Sequence, residues 1–197
     1  LELKRDQRVA FLDFGKGRLL RQAGRINTVE ECLNRADADV GFITLKTSPA
    51  AVTAIGASDG GTPTVVVATQ NAGIYSMSGT STVFRKLPAQ LDLMKVTSIA
   101  VLQPDQWLVG TDGDGLWLVR DGGISFDRVT TLDCTRVARI VQDPREPDGL
   151  FIASLCTGLH YSADRGTTWN TVGKGVTSFL VTDVVRLDGD RIAVATQ

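Results

Sequence analysis

Three stretches of this sequence superimpose at a step of 42 or 43 residues, and that period limits the possible folds more than any other feature. They are Val65–Tyr75, Trp107–Trp117 and Phe151–Tyr161, whose glycines Gly73, Gly115 and Gly158 lie 42 and 43 positions apart. A second marker, Phe84, Phe126 and Trp169, keeps the same two steps. Two markers in phase define a repeat. A period of this length means that one supersecondary unit is stacked several times, each unit burying its apolar surface against its neighbours.

Every unit has the same internal order. An apolar run opens it, at Val52–Ile55, Val96–Leu102, Val137–Val141 and Val181–Val185. A polar turn follows, such as Asp59-Gly60-Gly61-Thr62-Pro63 or Asp143–Gly149, then a β-branched run, a small polar loop ending in Gly, and a third run of alternating character. An aromatic-led strand such as Trp169-Asn170-Thr171-Val172 closes it. Four short strands separated by turn signals at this period predict an all-β fold, a β-propeller of four-stranded antiparallel blades. About four blades are expected, alone or within a larger propeller. Helical spacing is confined to Thr28–Ala36.

The expected division is a partial blade over 8–30, an insertion over 31–50, blades over about 51–90, 94–133 and 135–178, and a partial blade over 179–197. In the first of these, Arg8–Gly17 reads as a second strand running into its loop and Ile26–Val29 as a fourth strand. Phe42–Leu45 reads as an extra strand, or in a second register as the fourth strand of a degenerate blade. Beginning at Leu1-Glu2-Leu3-Lys4, without Met or an apolar leader, the chain is expected to be a processed or trimmed product.

Composition excludes some partners. With 21 basic and 22 acidic residues the net charge is −1, which gives no electrostatic reason to expect nucleic acid or an anionic membrane surface. No apolar stretch approaches the ~20 residues needed to span a bilayer. Walker, nucleophile-elbow and paired metal-ligand motifs are missing, and Gly15-Lys16-Gly17 is too short to cradle phosphate. No cofactor or bound metal is expected.

Ser162-Ala163-Asp164-Arg165-Gly166-Thr167-Thr168-Trp169 matches Ser-x-Asp-x-Gly-x-Thr-Trp at every specified position and resembles the Asp box of sialidase-like (BNR) propellers. The resemblance implies a structural turn between third and fourth strands, built from Ser162, Asp164, Gly166, Thr168 and Trp169, away from the usual ligand face. Asp and Ser bond the backbone of such turns, and Gly supplies a positive φ. Copies at Asp121, Gly123 and Phe126, and at Gly79, Ser81 and Phe84, are eroded. The run Val96–Ile99 followed by Trp107–Trp117 is also similar to the propeller repeats of two-component sensor proteins. Asp boxes occur in glycoside hydrolases, sorting receptors and assembly factors alike, so the resemblance carries a fold and leaves the function open.

The loops between second and third strands should share one face around the axis. Gln70 and Asn71, Asp112 and Asp114, Thr157 and Gln197 occupy aligned positions there, a polar ring of the kind that binds ligands or partners. Each residue is equally well explained by turn chemistry. Asp112-Gly113-Asp114 reads as a type I′ turn in preference to a Ca²⁺ site, which would want six or more oxygens. Cys134 precedes a first strand and Cys156 follows the neighbouring second strand, so the two are expected to form a disulfide, with Cys32 left over. That pairing points to a periplasmic or secreted setting, against a cytoplasmic alternative with three thiols. The only histidine, His160, aligns with Tyr75 and Trp117 and is expected to be a structural strand residue.

Three functions follow. A non-catalytic binding or scaffolding module, of sensor, receptor or assembly-factor type, would hold a protein partner, small ligand or glycan on the loop face. A piece of a carbohydrate-active propeller would need an arginine triad or two paired carboxylates, and Asp13, Asp112, Asp114, Asp133 and Asp183 form no evident pair. A lectin would use Trp107, Trp117 or Trp169 at several equivalent sites. The first reading requires nothing that the sequence lacks. An unclosed propeller would further associate with missing blades or with another copy.

Overall fold

The computed structural model describes residues 10–13, 18–21, 40–42, 51–58, 62–79, 84–173, 175–176, 178–187 and 191–197. The fold is an all-β propeller. Near the start, β1 (Ala10–Asp13) pairs antiparallel with β2 (Arg18–Arg21) on one side and β3 (Val40–Phe42) on the other. A strand is therefore present at Phe42, within Val40–Phe42, and it flanks β1 rather than β2; residues 43–45 lie outside the described residues. Ile26–Val29, Thr28–Ala36, Gly15-Lys16-Gly17 and Cys32 lie outside the described residues.

Three complete blades follow. Blade one is β4 (Val52–Ser58), β5 (Thr64–Thr69), β6 (Gly73–Ser78) and β7 (Arg85–Lys86). Blade two is β8 (Val96–Gln103), β9 (Gln106–Thr111), β10 (Leu116–Arg120) and β11 (Ser125–Arg128). Blade three is β12 (Val137–Gln142), β13 (Leu150–Ser154), β14 (Gly158–Ser162) and β15 (Asn170–Val172). A two-stranded half-blade, β16 (Val181–Arg186) and β17 (Ile192–Thr196), ends the array.

The residue pattern accounts for the order of strands within each blade. Second strands carry continuous apolar runs, Val65-Val66-Val67, Trp107-Leu108-Val109 and Phe151-Ile152, because both of their faces are covered by neighbouring sheets. Fourth strands are short and polar, as outer edges exposed to water should be. Three apolar layers fill the gaps between blades. Val66, Ala68 and Ile74 meet Ile99, Trp107 and Val109; Leu108 and Leu116 meet Val137, Ile140 and Ile152; Phe151 and Leu159 meet Val181 and Val184. Full burial of each Leu, Ile or Val contributes about 1.5–3 kcal/mol. The layers are close: a Cβ on Gly110 would stand 2.6 Å from Val137 Cγ1.

All four first strands are bulged at the same place, between Val52 and Ala54, Val96 and Ser98, Val137 and Arg139, and Val181 and Asp183. A bulge leaves one partner carbonyl without its ladder donor and bends the strand. Thr97 Oγ1 donates to the Gly110 carbonyl at 3.0 Å, and Thr182 Oγ1 to the equivalent Ala195 carbonyl at 3.2 Å. Thr97 Oγ1 also lies 2.5 Å from the Val137 carbonyl of the next blade. The local repair thus ties two blades together.

Candidate functional site on the loop face

Each second strand leaves its blade in the same way. The N–H groups of Gln70, Asp112, Leu155 and Gln197 donate to the carbonyls of Ala51, Lys95, Arg136 and Leu180, at 2.8, 2.8, 2.9 and 3.0 Å. These four bonds close the first–second strand pairs at one end of the array. They set the loops that follow, with Gln70, Asn71, Asp114 and Gln197 exposed and Asp112 and Thr157 half-buried, at matching positions of successive blades.

The loop of blade two differs from its sequence reading. A type I′ turn needs positive φ at both central residues, whereas here Gly113 (φ 132°) and Gly115 (φ 84°) have it and Asp112 and Asp114 do not. Thr111 takes control of the loop. Its hydroxyl donates to the Gly115 carbonyl at 2.7 Å and accepts the Asp114 N–H at 3.0 Å. The N–H groups of Gly113 and Gly115 then both donate to the Thr135 carbonyl, at 2.9 and 2.8 Å, stitching the loop to the linker that enters blade three.

Charges on this face are paired across blades. Arg136 Nε donates to Asp112 Oδ1 at 2.8 Å, and Arg139 Nε stands 3.5 Å from Asp183 Oδ1. Both pairs are partly exposed, so they contribute little stability; their effect is to hold two carboxylates and two guanidinium groups in fixed places. Sequence reasoning missed Arg136 and Arg139. The signal available was an arginine on either side of the Val137-Ala138 pair that opens a first strand. Thr157 is also fixed: its N–H donates to Ser154 Oγ at 2.9 Å, and its hydroxyl lies 2.7 Å from His160 Nε2.

His160 is buried on β14 opposite Ile152, in the layer between blades two and three. Burial pushes the imidazole pKa below its ordinary value, with the Thr157 backbone acting in the opposite sense. Cys134 and Cys156 form a disulfide with a Cα–Cα distance of 5.7 Å. It joins the linker before β12 to the loop after β13. Among the described residues no group of three His, Cys, Asp or Glu side chains could hold a metal ion, and no helix is long and apolar enough to cross a membrane.

The opposite end is closed by a different device. Ser162 Oγ accepts the N–H groups of Gly166 at 2.8 Å and Asp164 at 3.3 Å, while donating to Asp164 Oδ1 at 2.7 Å. Asp164 receives the Thr168 N–H at 2.9 Å and the Thr168 hydroxyl at 2.6 Å. The Thr168 hydroxyl is the largest of the causes that hold the Asp164 carboxyl below its ordinary pKa. Trp169 Nε1 donates to the Gly166 carbonyl at 3.1 Å, and its ring packs into the layer between blades two and three. The Arg165 N–H donates to the Asp148 carbonyl at 2.9 Å, which fixes this turn beside the first–second strand turn of the same blade.

Nothing matches this chain among protein-family models or curated protein sequences. Solved structures do resemble it. The chain is similar to the Niastella koreensis GH74 enzyme, with 16% identity and a TM-score of 0.51 over 74% of this chain. It is also similar to the computationally designed Ika4 protein, with 12% identity and a TM-score of 0.54 over 78% of this chain and 95% of that one. It spans only 26% of the GH74 enzyme's length. At such identities the likeness shows the fold alone, a β-propeller.

Proposed function

We propose that the chain is a non-catalytic propeller module that binds a protein segment or small ligand on its loop face. Gln70, Asn71, Asp112, Asp114, Thr157 and Gln197 are assigned to contact that ligand, with Arg136 and Arg139 supplying positive charge beside them. The observation that carries this reading is the register of the four loop-closing bonds, which presents short polar side chains at equivalent places on successive blades. Rigid presentation of polar groups lowers the ordering cost of binding. Ion pairing favours binding over hydrolysis, since Asp112 and Asp183 each face an arginine rather than a second carboxylate.

The Ser162–Trp169 turn is read as an Asp box with a structural role, because its polar side chains are satisfied by their own turn and lie at the other end of the blade. The disulfide supports a periplasmic or secreted setting, where such bonds persist. A glycan-binding or glycan-cleaving propeller is the competing reading.

Titration of isotope-labelled protein with peptide and oligosaccharide libraries, followed by amide shifts, tests these assignments. Shifts at residues 70–71, 112–115, 155–157 and 197 on adding a ligand, with no turnover, are expected. Cleavage of a glycoside, or shifts confined to the Ser162–Trp169 end, would overturn the proposal.

A further inference from the structure

The loops between second and third strands in blades two and three occupy matching places but are anchored by different chemistry. In blade two the Gly113 and Gly115 N–H groups share the Thr135 carbonyl. In blade three the Gly158 N–H, aligned with that of Gly115, donates at 3.1 Å to the carbonyl of Phe179, the residue aligned with Thr135. The residue aligned with Gly113 is Cys156, and sulfur ties it to Cys134 in the linker that enters its own blade.

Cys134, Thr135 and Arg136 are the hub of this junction. The Thr135 carbonyl holds the blade-two loop, and Arg136 Nε reaches Asp112 Oδ1 of the same loop at 2.8 Å. The Arg136 carbonyl accepts the Leu155 N–H at 2.9 Å, beside the disulfide. The blade-two loop is therefore fastened by hydrogen bonds and an ion pair. The blade-three loop is fastened in addition by a covalent bond that a reductant can open.

The two sulfurs are not equivalent. Cys134 is 6% exposed, and its Sγ accepts the Arg136 N–H at 3.3 Å. Cys156 is half-buried, on the loop that carries Thr157. In thiol–disulfide exchange a thiolate attacks one sulfur and the other leaves with the electron pair, so access decides which is attacked. Access here selects Cys156, and Cys134 becomes the leaving group. Burial opposes the charge that Cys134 acquires, and the Arg136 N–H, already in place, offsets part of that cost.

We propose that the Cys134–Cys156 bond is an exchange site for dithiols, opened in the folded protein by attack at Cys156. The thiolate of the dithiol bonds to Cys156 Sγ as the S–S bond breaks. The electron pair leaves with Cys134, which takes a proton from water. The second thiol of the reductant, as its thiolate, then attacks the reductant sulfur of the mixed disulfide and releases Cys156, which is protonated in turn. The protein gains two electrons and two protons, and the dithiol leaves as its own disulfide. Opening loosens the loop that carries Thr157, while hydrogen bonds keep the Asp112–Asp114 loop on its linker. This holds whatever the loop face binds.

The test treats the folded chain with reduced glutathione, whose single thiol gives the mixed disulfide at short times, and quenches by alkylation. Cys32, Cys134 and Cys156 fall on separate tryptic peptides, 26–35, 129–136 and 146–165, so mass spectrometry locates the adduct. Glutathione is expected on 146–165 and the alkyl group on 129–136, with a preference of about tenfold or more. With dithiothreitol the reduction rate should rise in proportion to reagent and stay flat in urea below the unfolding transition. Amide shifts on reduction should centre on residues 155–158 and leave 112–115 in place. C156S, which retains Cys134, should react with oxidised glutathione about tenfold or more slowly than C134S. Mapping on the unaltered chain keeps the test decisive if either variant misfolds. An adduct on 129–136, reduction that waits on unfolding, or shifts spread equally over both loops would each overturn the proposal.

Discussion

Arg186 Nη1 lies 3.1 Å from Asp143 Oδ2, across the boundary between the half-blade and blade three. The Asp143 side chain is 1% exposed and that of Arg186 16%. Asp143 Oδ1 also accepts the Arg145 N–H at 3.1 Å. Removing one member of a buried pair leaves the other charge without compensation, at a cost of about 3–5 kcal/mol. R186M should therefore destabilise the protein strongly, whereas the double variant D143L/R186M should recover much of that loss. Urea unfolding of the two variants checks the asymmetry; equal losses would mean that the pair acts only through packing.

The Cys134–Cys156 bond spans 22 residues. In the chain-entropy account a cross-link of this length stabilises by roughly 3 kcal/mol. The C134S/C156S variant, or the reduced protein, should unfold at correspondingly lower denaturant with the loop after β13 loosened first. Guanidinium unfolding with and without reductant measures it, and coincident curves would contradict the expectation.

At Gly166 the backbone has φ 85°, and a Cβ there would stand 2.8 Å from Leu108 Cδ1 and 3.1 Å from Trp169. Strain in the left-handed region and overpacking each cost about 1–3 kcal/mol. G166A should thus lower stability by more than about 1 kcal/mol, and Trp169 fluorescence should report the displaced ring. An unchanged melting temperature would show that the turn relaxes freely.

His160 sets a pH dependence. Because burial lowers the imidazole pKa in the folded state, the unfolded chain binds the proton more readily. Stability from this residue is complete above the ordinary value of about 6.5 and falls as pH drops below it, through the folded value. H160Y, which installs the residue found at the aligned position Tyr75, should flatten that slope. Thermal melts between about pH 7 and pH 5 provide the comparison; identical slopes would remove His160 as the cause.

How much was legible depended on whether the signal was local. Strand starts at Val52, Val96, Val137 and Val181, the repeat itself, the Cys134–Cys156 pairing and the structural place of His160 all follow from residues near each other or at a fixed period. The loop at Asp112–Asp114 was misread because a hydroxyl one position earlier, on Thr111, outcompetes the two-residue turn. The pairs Asp112–Arg136 and Arg139–Asp183 depend on which blades are adjacent and on where a bulge re-aims a side chain, neither of which periodicity encodes. Whether the polar loop positions form one binding surface is likewise a property of a ligand, and no residue type announces it.

The loop-closing bonds join positions 51 and 70, 95 and 112, 136 and 155, and 180 and 197. In blades one and three donor and acceptor are therefore 19 positions apart in sequence, where in blade two and the half-blade they are 17 apart. The surplus is taken up toward the far end, in the Asp143–Gly149 turn of blade three and, relative to the half-blade, in longer paired strands in blade one, while the near ends stay aligned. Length variation is thus already built into one end of the array and kept out of the other. For an engineer, the far turns are grafting ports: an epitope or fluorophore tag inserted there would ride on the molecule without altering what its opposite end presents.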